Sequence, residues 1–335
     1  MTPDRALAIS PLDGRYHASV GPVREAFSEL ALMRERVRVE CEHVLALSEV
    51  TAFGELTAGE QERTRAARDE FGAADYETIK GIESTLRHDV KACEVFLRER
   101  LALENPNRIH FGLTSEDVNN LAYSLCAQHY VVSSQLPTWT RLLHVLLDLC
   151  ERWADVPWPA RTHGQHASPS TAGKEIAVVI ERLMRPFGAL RTHSFRGKLN
   201  GATGNYSAFM AAAPKVDWRA YEARFVERLG FLQNPATTQI EDADSIGVYL
   251  RITATWNRVL IDFCQDVWTY ISYGYIVQRA EAGEVGSSTM PHKVNPINFE
   301  NAEGNLQLSS ALCDFLTDKL SRSRMQRDLS GSTVM

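Results

Sequence analysis

Apolar positions three and four residues apart run along most of this chain, which predicts an all-α fold. Val23, Phe27, Leu30, Val37 and Val44 mark a helix over residues 22–52, and a shorter polar helix follows over 57–71. Ile79, Ile82, Leu86, Val90 and Phe96 carry the pattern from 75 to 103, interrupted by Arg87-His88-Asp89. Another helix starts at Thr114 and runs to about 154 on Leu121, Leu125, Leu142, Leu146 and Leu149. Pro137 should kink it, because its ring cannot donate the helical hydrogen bond. Helices are further predicted over 169–195, 217–230 and 298–320. The longest pattern, 241–282, contains Gly247 and Gly274 but no proline. A helix of about 40 residues rises on the order of 60 Å and, being apolar on several sides, calls for other copies of the chain as partners.

The segments between these helices carry the polar chemistry. The longest, 283–305, reads GEVGSSTMPHKVNPINFENAEGN. Its glycines and two prolines predict a loop that closes at Pro296 into a new helix. It offers two adjacent hydroxyls (Ser287, Ser288), a cation (Lys293), an amide (Asn295) and a carboxylate (Glu300), with cation and amide just ahead of a helix N-terminus, a setting for anions. Residues 155–171, DVPWPARTHGQHASPST, are kept extended by three prolines and can bend at Gly164. His163 and His166 there lack a third ligand at motif spacing, which argues against zinc. Thr114-Ser115-Glu116-Asp117 reads as a helix start, hydroxyls then acids. His88 beside Asp89, which could hold its tautomer, is either a satisfied core histidine or a site residue. Arg322, Arg324 and Arg327 could bind anions or form a solvated basic turn.

Composition narrows the class without naming a reaction. With 44% hydrophobic and 23% charged residues the chain has ordinary globular composition, long enough for one large core or two domains. A net charge of −6, from 36 basic and 42 acidic residues, gives no sign of a nucleic-acid surface or a polybasic membrane patch. The opening residues lack the apolar core of a signal peptide, and no apolar run approaches the roughly 18 residues of a membrane span. The six cysteines are scattered singly and read as reduced core thiols, so a cytoplasmic location is expected.

GSSTMPHKVNP, residues 286–296, resembles the signature loop of the fumarase/aspartase superfamily, whose members eliminate fumarate from a substituted succinate. With His at 292, it is most similar to the adenylosuccinate lyases; fumarases and aspartases usually carry Gly there, and argininosuccinate lyases Gln. HxGxTSxD at 110–117 resembles the first signature block and Arg-Thr-His-Gly-Gln at 161–165 the second. PLDGRY at 11–16, the Gly201-x-x-Gly204-Asn205 turn, Gln239 and the tail QRDLSGSTV at 326–334 also match this branch. His166 stands where a proline is common, and Arg87 where a small polar residue is expected. Other fumarate-releasing lyases share the three blocks, and an inactive helical fragment is the non-enzymatic alternative.

The resemblance implies a long-helix bundle with a smaller N-terminal helical domain: 1–104 carrying Arg15-Tyr16 and His88, then 105–335 carrying the signature loop. The family pattern continues into a third helical domain that this chain is expected to lack. Fumarate elimination from adenylosuccinate and SAICAR is implied, giving AMP and AICAR, in a cytoplasmic homotetramer whose sites are shared between subunits. No metal or organic cofactor is implied. Ser287 is the implied base and His163 the implied acid, with Glu300 orienting His163 from another subunit. Lys293 and Asn295 would hold the succinyl carboxylates, helped by Thr114 and Ser115. Arg15 and Tyr16 would bind the phosphate, with His88 beside it or assisting the acid. Arg87, Asp89, Gln239, Ser288, Asn301, Arg327, Ser332 and Thr333 complete the implied substrate contacts.

Overall fold

The computed structural model describes residues 7–279 and 293–335. Helices α1 (Gly21–Phe27) and α2 (Glu29–Leu47) replace the single helix expected over 22–52. The break is Ser28, which turns extended and uses its hydroxyl to accept from the Ala31 amide at 3.2 Å. Next come α3 (Ala58–Asp69), α4 (Ala73–Leu86), α5 (Asp89–Leu101) and α6 (Ser115–Tyr130). A π-turn over Val131–Gln135 leads into α7 (Leu136–Arg152), so the irregularity lies on the turn just before Pro137, where the ring displaces the regular helical bonding.

Residues 155–171 form an antiparallel hairpin of β1 (Pro157–Thr162) and β2 (Gln165–Thr171), pairing Thr162 with Gln165 across a two-residue turn. The rest is α8 (Ala172–Arg191), β3 (Arg196–Gly197), α9 (Ser207–Ala212), α10 (Trp218–Arg228), β4 (Leu232–Gln233), α11 (Asp244–Ser272) and α12 (Ile297–Leu320). The expected helix over 241–282 is corrected to the 29 residues of α11. Gly274 takes φ +74°, and the Tyr275 amide turns back to the Tyr270 carbonyl at 2.9 Å, a left-handed glycine stop. At 1.5 Å per residue this helix is about 44 Å long. The architecture is all-α, with two short strand pairs among the described residues.

The contacts divide the chain into two compact units. Unit 1 comprises residues up to Gln135, Ser194–Ser245 and Arg322–Thr333; unit 2 comprises Leu136–His193 and Ile246–Ser321, with the last two residues. This partition runs across the sequence boundary expected at 104/105, because α6 packs on α2. One unit 1 core lies among α2, α3, α4 and α5, on fully buried Val37, Val44, Ile79, Leu97 and Leu101. An aromatic core beside it joins Phe111, Phe209, Trp218 and Phe225 to buried His43. His43 Nε2 meets the Phe111 carbonyl and Nδ1 the Tyr221 hydroxyl, both at 2.9 Å, while burial pulls its pKa down to about 4.

Unit 2 is built on α7, α8, α11 and α12. Trp139 of α7 stacks on Trp256 of α11, ring centroids 3.9 Å apart. Asn257–Ser309, Arg258–Asp314 and Gln265–Glu303 tie α11 to α12. All four helices also show large apolar side chains to solvent, among them Val145, Val178, Trp268, Leu312 and Phe315.

Candidate active site

The first two turns of α6 organise the candidate residues of unit 1. The expected helix start is present: the Thr114 amide donates to Asp117 Oδ2 at 2.8 Å. Thr114 and Ser115 are half-buried there, and the next five side chains are buried. The four polar ones among them reach other segments. Glu116 Oε1 receives Arg327 Nη2 at 3.0 Å, which docks the tail segment onto α6. Asn119 Oδ1 accepts from Arg36 Nε at 2.9 Å, and Arg36 Nη2 meets Asp89 Oδ2 at 2.6 Å. Asn120 bonds the Lys198 backbone in both directions, accepting from its N–H at 3.0 Å and donating to its carbonyl at 3.1 Å.

His88 is the N-cap of α5. Its Nδ1 accepts from the Lys91 amide at 3.2 Å, so neutral His88 carries its proton on Nε2. The Asp89 carboxylate is 3.6 Å from Nδ1 and is engaged by Arg36 and the Val90 amide. The backbone therefore sets the His88 tautomer, where the sequence pointed to Asp89. Burial raises the Asp89 pKa, but Arg36 and the Val90 amide outweigh it and hold the carboxyl below its ordinary value. Arg87 sits at φ +55° as the left-handed residue ending α4, its side chain exposed.

Arg15 is exposed, its guanidinium 6.0 Å from the Tyr16 ring centre. Gln239 is half-buried on a loop fixed two residues upstream, where Asn200 Nδ2 donates to Thr237 Oγ1 at 2.9 Å. In the tail, Ser332 is exposed, and the Thr333 hydroxyl donates to the Leu329 carbonyl at 2.8 Å.

In unit 2, His163 occupies the tip of the β1–β2 hairpin at φ +53°, followed by Gly164 at φ +73°. Positive φ at both central residues is the primed turn that suits tight hairpins. His163 is exposed and has no side-chain partner among the described residues. Arg161 braces the turn beneath it: Nη1 donates to the Gly164 carbonyl at 2.6 Å, Nη2 meets His166 Nε2 at 3.1 Å, and Nε meets the Tyr275 hydroxyl at 2.8 Å. The guanidinium also lies 4.6 Å from the Tyr273 ring centre. His166, in place of the family's proline, thus joins the hairpin's bracing.

Lys293 is exposed and unpaired among the described residues, and Asn295 is half-buried. Glu300 of α12 accepts through Oε1 from Trp268 Nε1 of α11 at 3.0 Å, which ties that carboxylate to α11; no contact joins it to His163 among the described residues. Asn301 accepts from Asn305 Nδ2. Ser287 and Ser288 lie outside the described residues, as does His292.

His110 opens the first signature block, but nothing in the sequence marks its partner. Glu40, fully buried, binds His110 Nδ1 at 2.6 Å and its amide at 3.1 Å. Burial pulls the His110 pKa down, but the Glu40 charge and hydrogen bond prevail and raise it. A carboxylate 70 positions away leaves no local signal; the nearest hint was a glutamate at a buried position of α2. Glu241 was also missed: burial first, with Asp242 adding to it, pushes its carboxyl up to about 7.

Residues 14–308 match the lyase family. The chain is 46% identical, over 98% of its own length and 74% of the relative's, to the adenylosuccinate lyase of Escherichia coli (strain K12). It is 45% identical to that of Haemophilus influenzae over the same shares. Adenylosuccinate lyase of Dictyostelium discoideum is 43% identical over 98% of this chain and 73% of that relative. A crystal structure of fumarate lyase from Mesorhizobium sp. BNC1 superposes with TM-score 0.72, covering 93% of this chain and 68% of that one; at 19% identity it speaks for the fold alone. By family match and by its curated relatives, the chain belongs to the lyase family and, within it, to the adenylosuccinate lyases.

Proposed function

We propose that this chain is a carbon–nitrogen lyase that eliminates fumarate from adenylosuccinate, giving AMP, and from SAICAR, giving AICAR. The observation that carries the reading is its likeness to adenylosuccinate lyases along nearly its whole length. The reaction removes a weakly acidic C–H proton beside a carboxylate and protonates the departing nitrogen. It therefore needs a base, an acid and donors for a dianionic intermediate.

Ser287 is the proposed base and His163 the acid. A hairpin tip braced from below by Arg161 supports the second role, since a positioned imidazole transfers a proton better than a wandering one. Glu300 would orient His163 from another subunit; its fixed carboxylate on α12 supports a role in one defined place. Lys293, Asn295, Ser288 and Asn301 would hold the succinyl carboxylates with Thr114 and Ser115. Arg15, Tyr16, Arg327, Ser332 and Thr333 would take the nucleotide, and Arg87, His88, Asp89 and Gln239 would line it. The apolar side chains exposed on α7, α8, α11 and α12 support association into a homotetramer. No described helix is long and apolar enough to cross a membrane; a cytoplasmic location, without nucleic-acid or membrane partners, is part of this proposal.

Ser287→Ala and His163→Gln test the roles. Each should bind adenylosuccinate within a few-fold of the unmodified protein while turnover falls by about 10²–10⁴. Mixing the two inactive variants should restore activity if sites are shared. A fall in turnover of less than about tenfold in either variant, or no recovery in confirmed mixed oligomers, would contradict the corresponding assignment.

A further inference from the structure

Lys198 and Asp117 form an ion pair with both side chains at 0% exposure, Nζ 3.0 Å from Oδ1. Such a pair costs desolvation that its own attraction barely offsets, so its retention asks for another reason. The remaining bonds supply one. Lys198 Nζ also donates to the Gly201 carbonyl at 3.0 Å. Asp117 Oδ1 accepts from the Asn200 amide at 3.0 Å, and Oδ2 accepts from the Gly201 amide at 3.1 Å and the Thr114 amide at 2.8 Å. From Asn200 the chain of bonds continues to Thr237, two residues before Gln239.

We propose that the Asp117–Lys198 pair is a positioning device for the substrate: one buried carboxylate, held in place by one buried ammonium, sets the Thr114-Ser115 turn and the 200–201 turn in common register, and through Asn200 the Gln239 loop. The proposal rests on the reading of those segments as substrate-binding. Neither residue touches the reacting atoms. A carboxylate has acceptors enough for all three amides and the ammonium, whereas an asparagine in its place has one acceptor oxygen and must leave some unmet.

The test uses Lys198→Met, Asp117→Asn and the double variant in the full chain. Each single variant should raise KM for adenylosuccinate about tenfold or more, with kcat changed much less, since binding groups move while acid and base do not. The double variant removes the unpaired charge and should regain most of the thermal stability, with KM still raised. Recovery of KM together with stability, or loss of stability with KM unchanged, would reduce the pair to a structural role and overturn the proposal. A second readout needs neither activity nor variants. In the unmodified protein, hydrogen exchange at the Thr114, Asn200 and Gly201 amides should report one shared opening; separate openings would overturn the coupling. Absence of adenylosuccinate turnover in the unmodified protein would instead remove the functional reading and leave the exchange test standing.

Discussion

Gly204→Ala should damage substrate binding from a position that has no polar side chain to lose. Gly204 has φ +69°, and a Cβ there would meet the Thr237 carbonyl oxygen at 2.1 Å, its carbon at 2.8 Å and the Thr238 oxygen at 2.8 Å. All three are backbone atoms, so no rotamer change relieves the clash. The 237–238 segment must retreat by about 1 Å to restore ordinary contact, carrying Gln239 with it and stretching the Asn200–Thr237 bond. Left-handed strain contributes about 1 kcal/mol and overpacking about 1–3 kcal/mol, so about 2–4 kcal/mol of stability should be lost. A displacement of about 1 Å at a binding group can reduce kcat/KM about 10²-fold. Gly201→Ala is the matched control: φ is +86°, but the nearest atom, the Gly112 oxygen, is at an ordinary 3.4 Å. It should lose only the strain of about 1 kcal/mol and bind nearly normally. Urea unfolding and steady-state kinetics of both variants decide the matter. Equal losses of stability and equal KM for the two alanines would refute the backbone-clash argument.

Two further outcomes are expected. Arg161→Met removes the brace to the Gly164 carbonyl and should lower kcat about tenfold or more although the His163 side chain is retained, because its turn is no longer held; Arg161→Lys should not rescue it, because one ammonium cannot make the fork and the ring stack. An unchanged kcat in Arg161→Met would show that the turn holds without the brace. Glu241 titrates near 7 in the folded protein against an ordinary 4.5, so between those values the native state binds more protons than the unfolded one. Its stabilising contribution is therefore full below pH 4.5 and is lost as pH rises through 7. Glu241→Gln should remove that loss, and relative to the unmodified protein it should gain up to about 3 kcal/mol at pH 8 compared with pH 4. Denaturant titrations of both proteins at the two pH values would show it, and a pH-independent difference would contradict it.

Local chemistry was legible in the sequence wherever a signal acts over a few residues. The Thr114–Asp117 helix start, the break at His88 and the irregularity before Pro137 each follow from one cap, charge cluster or ring. The α11 terminus was missed because Ile271 and Tyr275 continue the apolar period past Gly274, and the period outweighed the glycine. Residues 155–171 were legible as extended from the prolines at 157, 159 and 169 and as bent at Gly164, but not as a paired hairpin, whose open edges accept those prolines. The long-range pairs were beyond reach. Glu40–His110, Arg36–Asp89 and Asp117–Lys198 join residues 53 to 81 positions apart, and no periodicity or motif specifies such a meeting. Family resemblance supplied the proposed reacting residues, while the structure supplied the contacts that tie the segments around Thr114 and Asn200 together.

The most direct measurement is the fate of adenylosuccinate mixed with the purified chain, read by its absorbance and by quantifying AMP and fumarate. The account predicts that substrate disappears as AMP and fumarate accumulate one to one, with turnover on argininosuccinate, aspartate and malate lower by orders of magnitude. No fumarate from adenylosuccinate in a folded, associated protein, or faster release from one of the other three, would contradict it.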